Sequence, residues 1–137
     1  MKASTIEQKQ LRAVHANALI LSIASYGRKF FRYEDNVAKL FVQPSGRVFI
    51  LDEYTRKLIY THTERHWNGF NNGGTLRGLV CMLRDYIMTG KQINIGYICT
   101  QRRYDDSNIW GYSKEEAVAL RKEVESNPCI FNPEPGE

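Results

Sequence analysis

The sequence predicts an α+β fold, in which an antiparallel β-meander of three to five strands is packed by an N-terminal helix and a middle helix, with a further helix at the C-terminus. Two observations lead to this prediction. Capping-box motifs mark the starts of the first and last helices, and short β-prone runs separated by turn residues fill the stretch between the first and middle helices. The length of 137 residues suits a single domain over 1–137, and three prolines make 127–137 an irregular tail.

The N-terminal helix is predicted to begin near Ser4 or Thr5, because each of these residues opens a capping box with a Glu or Gln three positions later. Gly27 is a natural residue to end it. Apolar positions at helical spacing form one stripe, which is predicted to lie across the sheet. This stripe consists of Leu11, Val14, Ala18, Leu21 and Ser25, and toward its C-terminal end it widens to include Ile20 and Ile23.

The stretch 28–63 is predicted to supply the meander. Its β-prone runs, counting an additional strand at the start, are 28–34, 37–43, 47–51 and 58–63. Pro44-Ser45-Gly46 predicts a tight turn with Gly46 at positive φ. A second turn over 52–57 makes the neighbouring runs pair in antiparallel fashion.

The middle helix is predicted to have Thr75 as its N-cap and to run through Thr89, with Gly90 ending it. Its apolar residues recur at helical spacing and should face the core. They are Leu76, Leu79, Val80, Leu83 and Ile87.

The remainder of the chain is predicted to hold an extended segment at 93–100, a short strand at 109–112 and the last helix. The capping box Ser113-x-x-Glu116 starts that helix, which should run from 114 to about 126 before Pro128 excludes further helix.

Composition argues against a membrane-spanning or disulfide-built protein. The sequence has no run of 18 apolar residues, and Met1–Glu7 show no basic stretch followed by an apolar one, so we expect a cytoplasmic protein without a secretory signal. The three cysteines, at 81, 99 and 129, form no C-x-x-C pair and are expected to be reduced thiols. Cys81 lies in the apolar pattern of the middle helix and is expected in the core.

Charge is distributed unevenly along the chain. Residues 26–103 carry thirteen Lys and Arg against six Asp and Glu, whereas residues 104–137 carry three against eight. A basic middle region fits a phosphate-bearing or acidic partner. Solvated charge with some pairing between the two regions explains the same pattern, so both interpretations stay open. Two basic-aromatic clusters, Arg28–Tyr33 and Arg102-Arg103-Tyr104, suit nucleic acid or an acidic protein face, and equally a solvated sheet edge.

The segment from Trp67 to Arg77 is the main candidate site. Its glycine-rich turn leads into a helix N-terminus, where free backbone N–H groups can hold an anion, and the aromatic side chains beside it can stack on a base or fill a partner's pocket. The alternative is a tight turn above a capped helix, with the aromatic rings in the core. The candidate binding residues here are Trp67, Phe70, Asn72, Gly73, Gly74, Thr75, Arg77 and Arg84, and those of the second basic-aromatic cluster are Arg102 and Arg103.

The two tryptophans are assigned different environments. Trp110 lies between a predicted strand and a capped helix and is expected in the core. Trp67 lies in the glycine-rich loop and is expected to be at least partly exposed and functional.

No catalytic, cofactor or metal assignment follows from the motifs. The pattern G-x-x-x-x-G-K-[ST] and the nucleophile motif G-x-S-x-G are both absent. His62 and His66 are four residues apart, which on a strand separates them by about 13 Å, too far to share a metal ion. We therefore expect a protein that is not an enzyme.

The stretch Trp67–Gly90 resembles a group of small uncharacterised proteins of phages and bacterial mobile elements. The shared pattern is W-x-G-F-x-x-G-G-T-L-R followed by D-Y-I-x-T-G, and Trp110-Gly111-Tyr112 resembles a later W-G-Y of the same group. The resemblance covers about 26–125, and its specific part is 67–90. It implies an accessory phage protein in the cytoplasm of the host cell, and it transfers no catalytic residue.

Together the residues and the resemblance predict a non-enzymatic binding protein. It would inhibit or redirect a host system, in the manner of an anti-CRISPR-like counter-defence factor, by binding a host protein or nucleoprotein. The alternative is direct binding of nucleic acid or a nucleotide through the basic middle region and the Gly73-Gly74-Thr75 helix start. The sequence leaves the oligomeric state open.

Overall fold

The computed structural model describes residues 5–26, 29–63, 67–70, 74–95 and 113–131, with the backbone alone for Thr75 and Lys114. Within these ranges it confirms the α+β fold with an N-terminal and a C-terminal helix. The elements are α1 (Ile6–Ser25), β1 (Arg32–Tyr33), β2 (Asn36–Val37), β3 (Lys39–Val42), β4 (Val48–Leu51), β5 (Leu58–Tyr60), α2 (Gly74–Thr89), β6 (Ile93–Asn94), α3 (Lys114–Val124) and β7 (Ile130–Phe131).

The predicted meander is confirmed as the three-stranded antiparallel sheet β3-β4-β5. In its register Leu40 lies opposite Ile50, and Ile50 opposite Ile59. All three side chains are buried, so they define the inner face of the sheet, against which the core forms. The turn between β3 and β4 is the predicted one, with Gly46 at φ +87°. The run at 28–34 contributes only β1, which pairs with β2 as a separate short hairpin.

Local signals placed both capped helices correctly. Thr5 caps α1 by accepting a hydrogen bond from the Gln8 backbone N–H, and Ser113 caps α3 in the same way with Glu116. In each case the side chain at the third helical position bonds back to the cap residue, which completes the capping box. Gly90, at φ +83°, follows the last residue of α2 as predicted.

The prediction of the buried face of α1 is wrong for its main stripe and confirmed for Ile20 and Ile23, which are both fully buried. Leu11, Val14 and Leu21 are 59%, 62% and 53% exposed, so the predicted stripe points away from the protein. The buried face consists of Ala13, Ala16, Leu19, Ile20, Ile23 and Ala24. Alanines allow the helix to approach its neighbours closely, and the polar side chains on this face have partners inside the fold.

Three polar side chains of α1 make those inward contacts. The Asn17 side-chain amide donates to the Leu40 carbonyl oxygen at 3.0 Å and accepts from the Leu40 N–H at 2.7 Å. Arg12 donates to the Ile87 carbonyl oxygen at 3.2 Å near the end of α2, where a cation is favourable. His15 Nδ1 lies 2.8 Å from the Tyr86 hydroxyl oxygen. Because Arg, His and Asn are usually found at the surface, the sequence suggests that this face of α1 is exposed. In the structure it packs against α2 and the sheet.

The prediction of a wholly irregular tail is also wrong. Ile130–Phe131 forms β7, which pairs in parallel with β6. The Ile93 N–H donates to the Cys129 carbonyl oxygen at 2.8 Å, and the Asn127 side chain donates to the His15 carbonyl oxygen at 3.0 Å. A parallel pair of two residues joined across more than thirty positions leaves no local pattern in the sequence.

The last helix is shorter than predicted. α3 ends at Val124, two residues before the predicted end. None of the helices in the described ranges is long and apolar enough to cross a bilayer.

We expect Asn17→Ala to destabilise the protein by about 1–3 kcal/mol, because it leaves a half-buried backbone donor and acceptor at Leu40 without their partner. Chemical denaturation measures the loss, and hydrogen exchange should show faster exchange of the Leu40 amide. Gln10→Ala, an exposed change on the same helix, is the control and should stay within about 0.5 kcal/mol of the wild type. Equal stability of the two variants would contradict this role of Asn17.

We expect the Cys129 thiol to be unreactive in the folded protein. Burial raises the pKa of Cys129 to about 12, so the reactive thiolate is scarce at pH 8. Pulse alkylation followed by peptide mapping should modify half-buried Cys81 well before Cys129. In denaturant the two should react at similar rates, and fast native labelling of Cys129 would show that the β6–β7 tail is not packed.

Candidate functional site

Trp67 is a core residue, so the expectation that it is partly exposed is wrong. Its side chain is 3% exposed, and its indole N–H donates to the Thr63 carbonyl oxygen at 3.0 Å. The Phe70 ring meets it edge to face at a centroid distance of 5.2 Å. A tight turn closed by the Phe70 N–H on the Trp67 carbonyl, with Gly69 at φ +93°, brings the two rings together.

The two arginines among the candidate binding residues of this segment have separate structural contacts. The Arg77 guanidinium lies over the Trp67 ring, 4.8 Å from its centroid. Arg84 donates to the Thr61 carbonyl oxygen and forms a salt bridge to the Asp85 carboxylate at 3.0 Å. Both arginines therefore join α2 to the segment that follows β5, and neither is an isolated cation beside the helix start.

The prediction that Thr75 is the N-cap of α2 is wrong. The helix begins at Gly74, so Thr75 lies in its first turn and is not the cap. Asn72 and Gly73, and the second cluster of Arg102 and Arg103, lie outside the described residues, as does Trp110. Anion binding at this helix start stays a prediction.

The surface that sequence reasoning missed is the face of the three-stranded sheet opposite the core. Strand alternation puts every second residue on this side, and we call it the outer sheet face. Its residues are Lys39, Phe41, Gln43, Arg47, Phe49, Leu51, Leu58, Tyr60 and His62. In a half-solvated sheet these positions are usually polar. Here Phe41 and Leu58 are 37% and 48% exposed.

Three aromatic side chains cross the outer sheet face in one row. The register places Phe41 opposite Phe49, and Phe49 opposite Tyr60, so each of the three strands contributes one ring. The centroids of Phe49 and Tyr60 are 5.1 Å apart, and their planes are inclined by 32°. We call these three residues the aromatic row. The His62 ring continues it at 5.6 Å from Tyr60.

Two cations flank the aromatic row. The Lys39 Nζ atom is 5.6 Å from the centroid of Phe41, and the Arg47 guanidinium carbon is 5.6 Å from the centroid of Tyr60. Both distances are in the range of cation–π attraction. None of the nine residues on the outer sheet face is acidic, so the two cations face no carboxylate within that set.

His62 adds a ring to this face and little positive charge. Partial burial lowers its pKa, and the neighbouring cations Arg84 and Lys9 act in the same direction, while Asp85 opposes them. A lowered pKa keeps His62 neutral at pH 7. The fixed charge at the aromatic row therefore comes from Lys39 and Arg47.

The outer sheet face has the chemistry of a binding surface. Flat rings offer stacking contacts, and the two cations offer contacts to an anion at the ends of the row. The signal in the sequence was the alternation of residues along each strand. Once the strand register is known, this alternation places six residues on the same face of the sheet: Lys39, Phe41, Phe49, Leu51, Leu58 and Tyr60. The strands were predicted, but which of the two alternating sets of side chains faces the core depends on where α1 packs.

Comparison with known proteins places the chain in a family. A family model described as YoqU matches residues 7–130. The chain belongs to the YoqU family. It is 29% identical over 120 residues to the SPbeta prophage-derived uncharacterized protein YoqU of Bacillus subtilis (strain 168), a match that covers 85% of this chain and 82% of that protein. No solved structure matches this YoqU family member. The predicted relation to an uncharacterised phage-derived protein is thereby confirmed, although these matches do not test the specific sequence motif.

We expect Trp67→Ala to destabilise this YoqU family member by about 3–5 kcal/mol, because it removes a buried aromatic side chain and leaves a cavity. Chemical denaturation measures the change, with Asn68→Ala, at an exposed neighbouring position, as the control. In a Trp110→Phe background, acrylamide should quench the fluorescence of folded Trp67 far less than that of the denatured chain. Strong quenching in the folded state would mean that Trp67 is exposed after all.

Proposed function

We propose that this protein is a non-enzymatic phage accessory protein that binds a host protein or nucleoprotein through its outer sheet face. In doing so it inhibits or redirects a host system, in the manner of an anti-CRISPR-like counter-defence factor. The observation that carries the proposal is the aromatic row, in which exposed Phe41 and half-buried Phe49 and Tyr60 lie between two cations on a sheet face that the core does not use.

The composition of this face supports binding over a purely structural role. Tyrosine and arginine are residue types enriched at energetic hot spots of interfaces, and an apolar patch such as Phe41 and Leu58 left accessible on a small protein marks an interaction surface. Cross-strand aromatic pairs also stabilise a sheet, but by only about 0.2–1 kcal/mol each. This small stabilisation accounts for a pair of packed rings such as Phe49 and Tyr60. It does not explain why the apolar side chains of Phe41 and Leu58 are exposed to solvent.

The counter-defence setting is supported by the origin of the relative. The Bacillus subtilis protein is derived from a prophage, and accessory proteins of phages act on the host cell in which they are made. The alternative interpretation from sequence is direct binding of nucleic acid or a nucleotide through the basic middle region and the Gly73-Gly74-Thr75 helix start, beside which Arg77 and Arg84 were candidate binding residues. Both of these residues contact other parts of this chain instead.

The proposal predicts that capture of a host complex depends on the aromatic row. We expect tagged wild-type protein to retain a specific host component from bacterial lysate, and Phe41→Ser/Tyr60→Ser to lose it. The matched control is Leu11→Ser/Leu21→Ser, which makes the same kind of change at two exposed apolar residues of α1. Thermal denaturation of all three proteins confirms that they are folded.

Comparing the two variants shows whether the host component binds at the outer sheet face or at α1. Loss of capture in the α1 variant with retention in the sheet variant would place binding elsewhere and contradict the proposal. Parallel captures with and without nuclease separate a protein partner from a nucleoprotein.

The counter-defence role has its own test in cells. Expression of the wild-type protein in a host with an active CRISPR system should raise the plating efficiency of a targeted phage, and Phe41→Ser/Tyr60→Ser should abolish the increase. An equal increase with both proteins, or none with the wild type, would rule out this role for the outer sheet face.

A further inference from the structure

We infer that the ligand of the outer sheet face is a single-stranded nucleic acid, whose bases stack on Phe41, Phe49 and Tyr60 and whose phosphates contact Lys39 and Arg47. This inference rests on the proposed function, because it names the partner chemistry at the same surface. It adds a direct contact with nucleic acid at a place that the glycine-rich helix start does not include.

The dimensions of the aromatic row fit a short run of bases. Three rings on three adjacent strands are separated by two inter-strand spacings, which together measure about 10 Å. The Phe49 and Tyr60 rings are inclined by 32° at 5.1 Å, so they present neighbouring faces in similar directions. A sheet carrying aromatic side chains in this way accommodates two or three stacked bases.

The cations are placed for the phosphates of such a strand. Along the strands, Lys39 precedes the row on β3, and Arg47 lies on the other side of the row, directly before β4. Lys39 stands beside Phe41 at one end of the row, and Arg47 beside Tyr60 at the other end. A backbone that crosses the sheet diagonally therefore passes both charges while its bases lie on the rings.

Other acidic partners fit this surface less well. A duplex keeps its bases stacked inside and offers phosphates alone, so the rings would stay uncovered. An acidic peptide would neutralise Lys39 and Arg47 but place carboxylates beside three aromatic rings. Unpaired bases supply flat apolar faces together with a negative backbone, which matches both features.

The test uses the purified full-length chain and fluorescein-labelled oligonucleotides in an anisotropy titration. The probes are a 12-mer of deoxythymidine, a 12-mer of uridine and a 12-base-pair duplex, with polyglutamate as an unlabelled competitor. We expect saturable binding of a single strand and binding of the duplex that is weaker by about tenfold or more, since each base stack contributes roughly 5- to 150-fold. Binding of either 12-mer supports the inference, and the preferred sugar distinguishes DNA from RNA.

The variants separate stacking from general charge. Tyr60→Leu keeps an apolar side chain but removes the ring, and we expect affinity to fall roughly 5- to 150-fold, while Tyr60→Trp retains it. Raising salt from 50 to 200 mM should weaken binding about sevenfold if two phosphates are contacted, and Arg47→Gln should make that dependence shallower. Leu21→Ala, on the exposed face of α1, should bind like the wild type.

Several results would overturn the inference. These are the absence of saturable binding to both 12-mers, equal binding of the duplex, full competition by polyglutamate, or unchanged affinity in Tyr60→Leu. If capture from lysate is then nuclease-resistant and still lost in Phe41→Ser/Tyr60→Ser, the outer sheet face binds a protein, and the proposed function stands without this inference. If a 12-mer binds but no host component is captured, the proposed function fails and the nucleic-acid contact stands.

Discussion

The pairing of Asn17 with Leu40 is the contact on which the rest of the arrangement depends. One amide side chain satisfies both the N–H and the carbonyl of Leu40, at 2.7 and 3.0 Å. β3 is an edge strand of its sheet, and unpaired edge groups invite association with other chains. Asn17 occupies two of them and at the same time holds α1 against the inner face. Because the core is built on that side, the outer sheet face is left to solvent.

From the same helix, two further polar contacts position the other elements. Arg12 reaches the carbonyl of Ile87 at the end of α2, and His15 meets Tyr86 one residue earlier. The carbonyl oxygen of His15 also accepts a hydrogen bond from the side-chain amide of Asn127, which holds the segment leading into β7 against α1. A half-buried hydrogen bond adds only about 1 kcal/mol, but each of these has a defined direction. Together with the burial of Leu19, Ile20 and Ile23, these contacts fix the inward face of α1.

Two groups of aromatic residues in the described part of the chain have different physical roles. Trp67 and Phe70 pack edge to face under the cation of Arg77, and they stabilise the connection between the sheet and α2. Phe41 and Tyr60 stand on the opposite side of the sheet beside the cations Lys39 and Arg47. Ring and cation are adjacent in both places, but Trp67 of the first group is buried whereas Phe41 of the second is exposed. In the glycine-rich segment the described rings of Trp67 and Phe70 are therefore packing residues, whereas the meander holds the candidate surface.

The sequence alone determined the features that depend on neighbours within about four residues. Thr5 and Ser113 cap their helices because a short side chain and the backbone N–H three positions later meet in any helix start. Gly46 and Gly90 take positive φ because glycine has no Cβ to oppose it. Only the tertiary structure decided the exposure of Leu11 and Leu21, the burial of Trp67 and the pairing of β7 with β6. The exposure of these leucines and the pairing of β7 depend on partners far away in the chain, and the burial of Trp67 depends on its place in the core. Because α1 carries apolar residues on two sides, helical periodicity alone does not choose between them. The long-range contacts of Arg12, His15 and Asn17 with α2 and the sheet accompany the face that is buried, and none of these partners is close to α1 in the sequence.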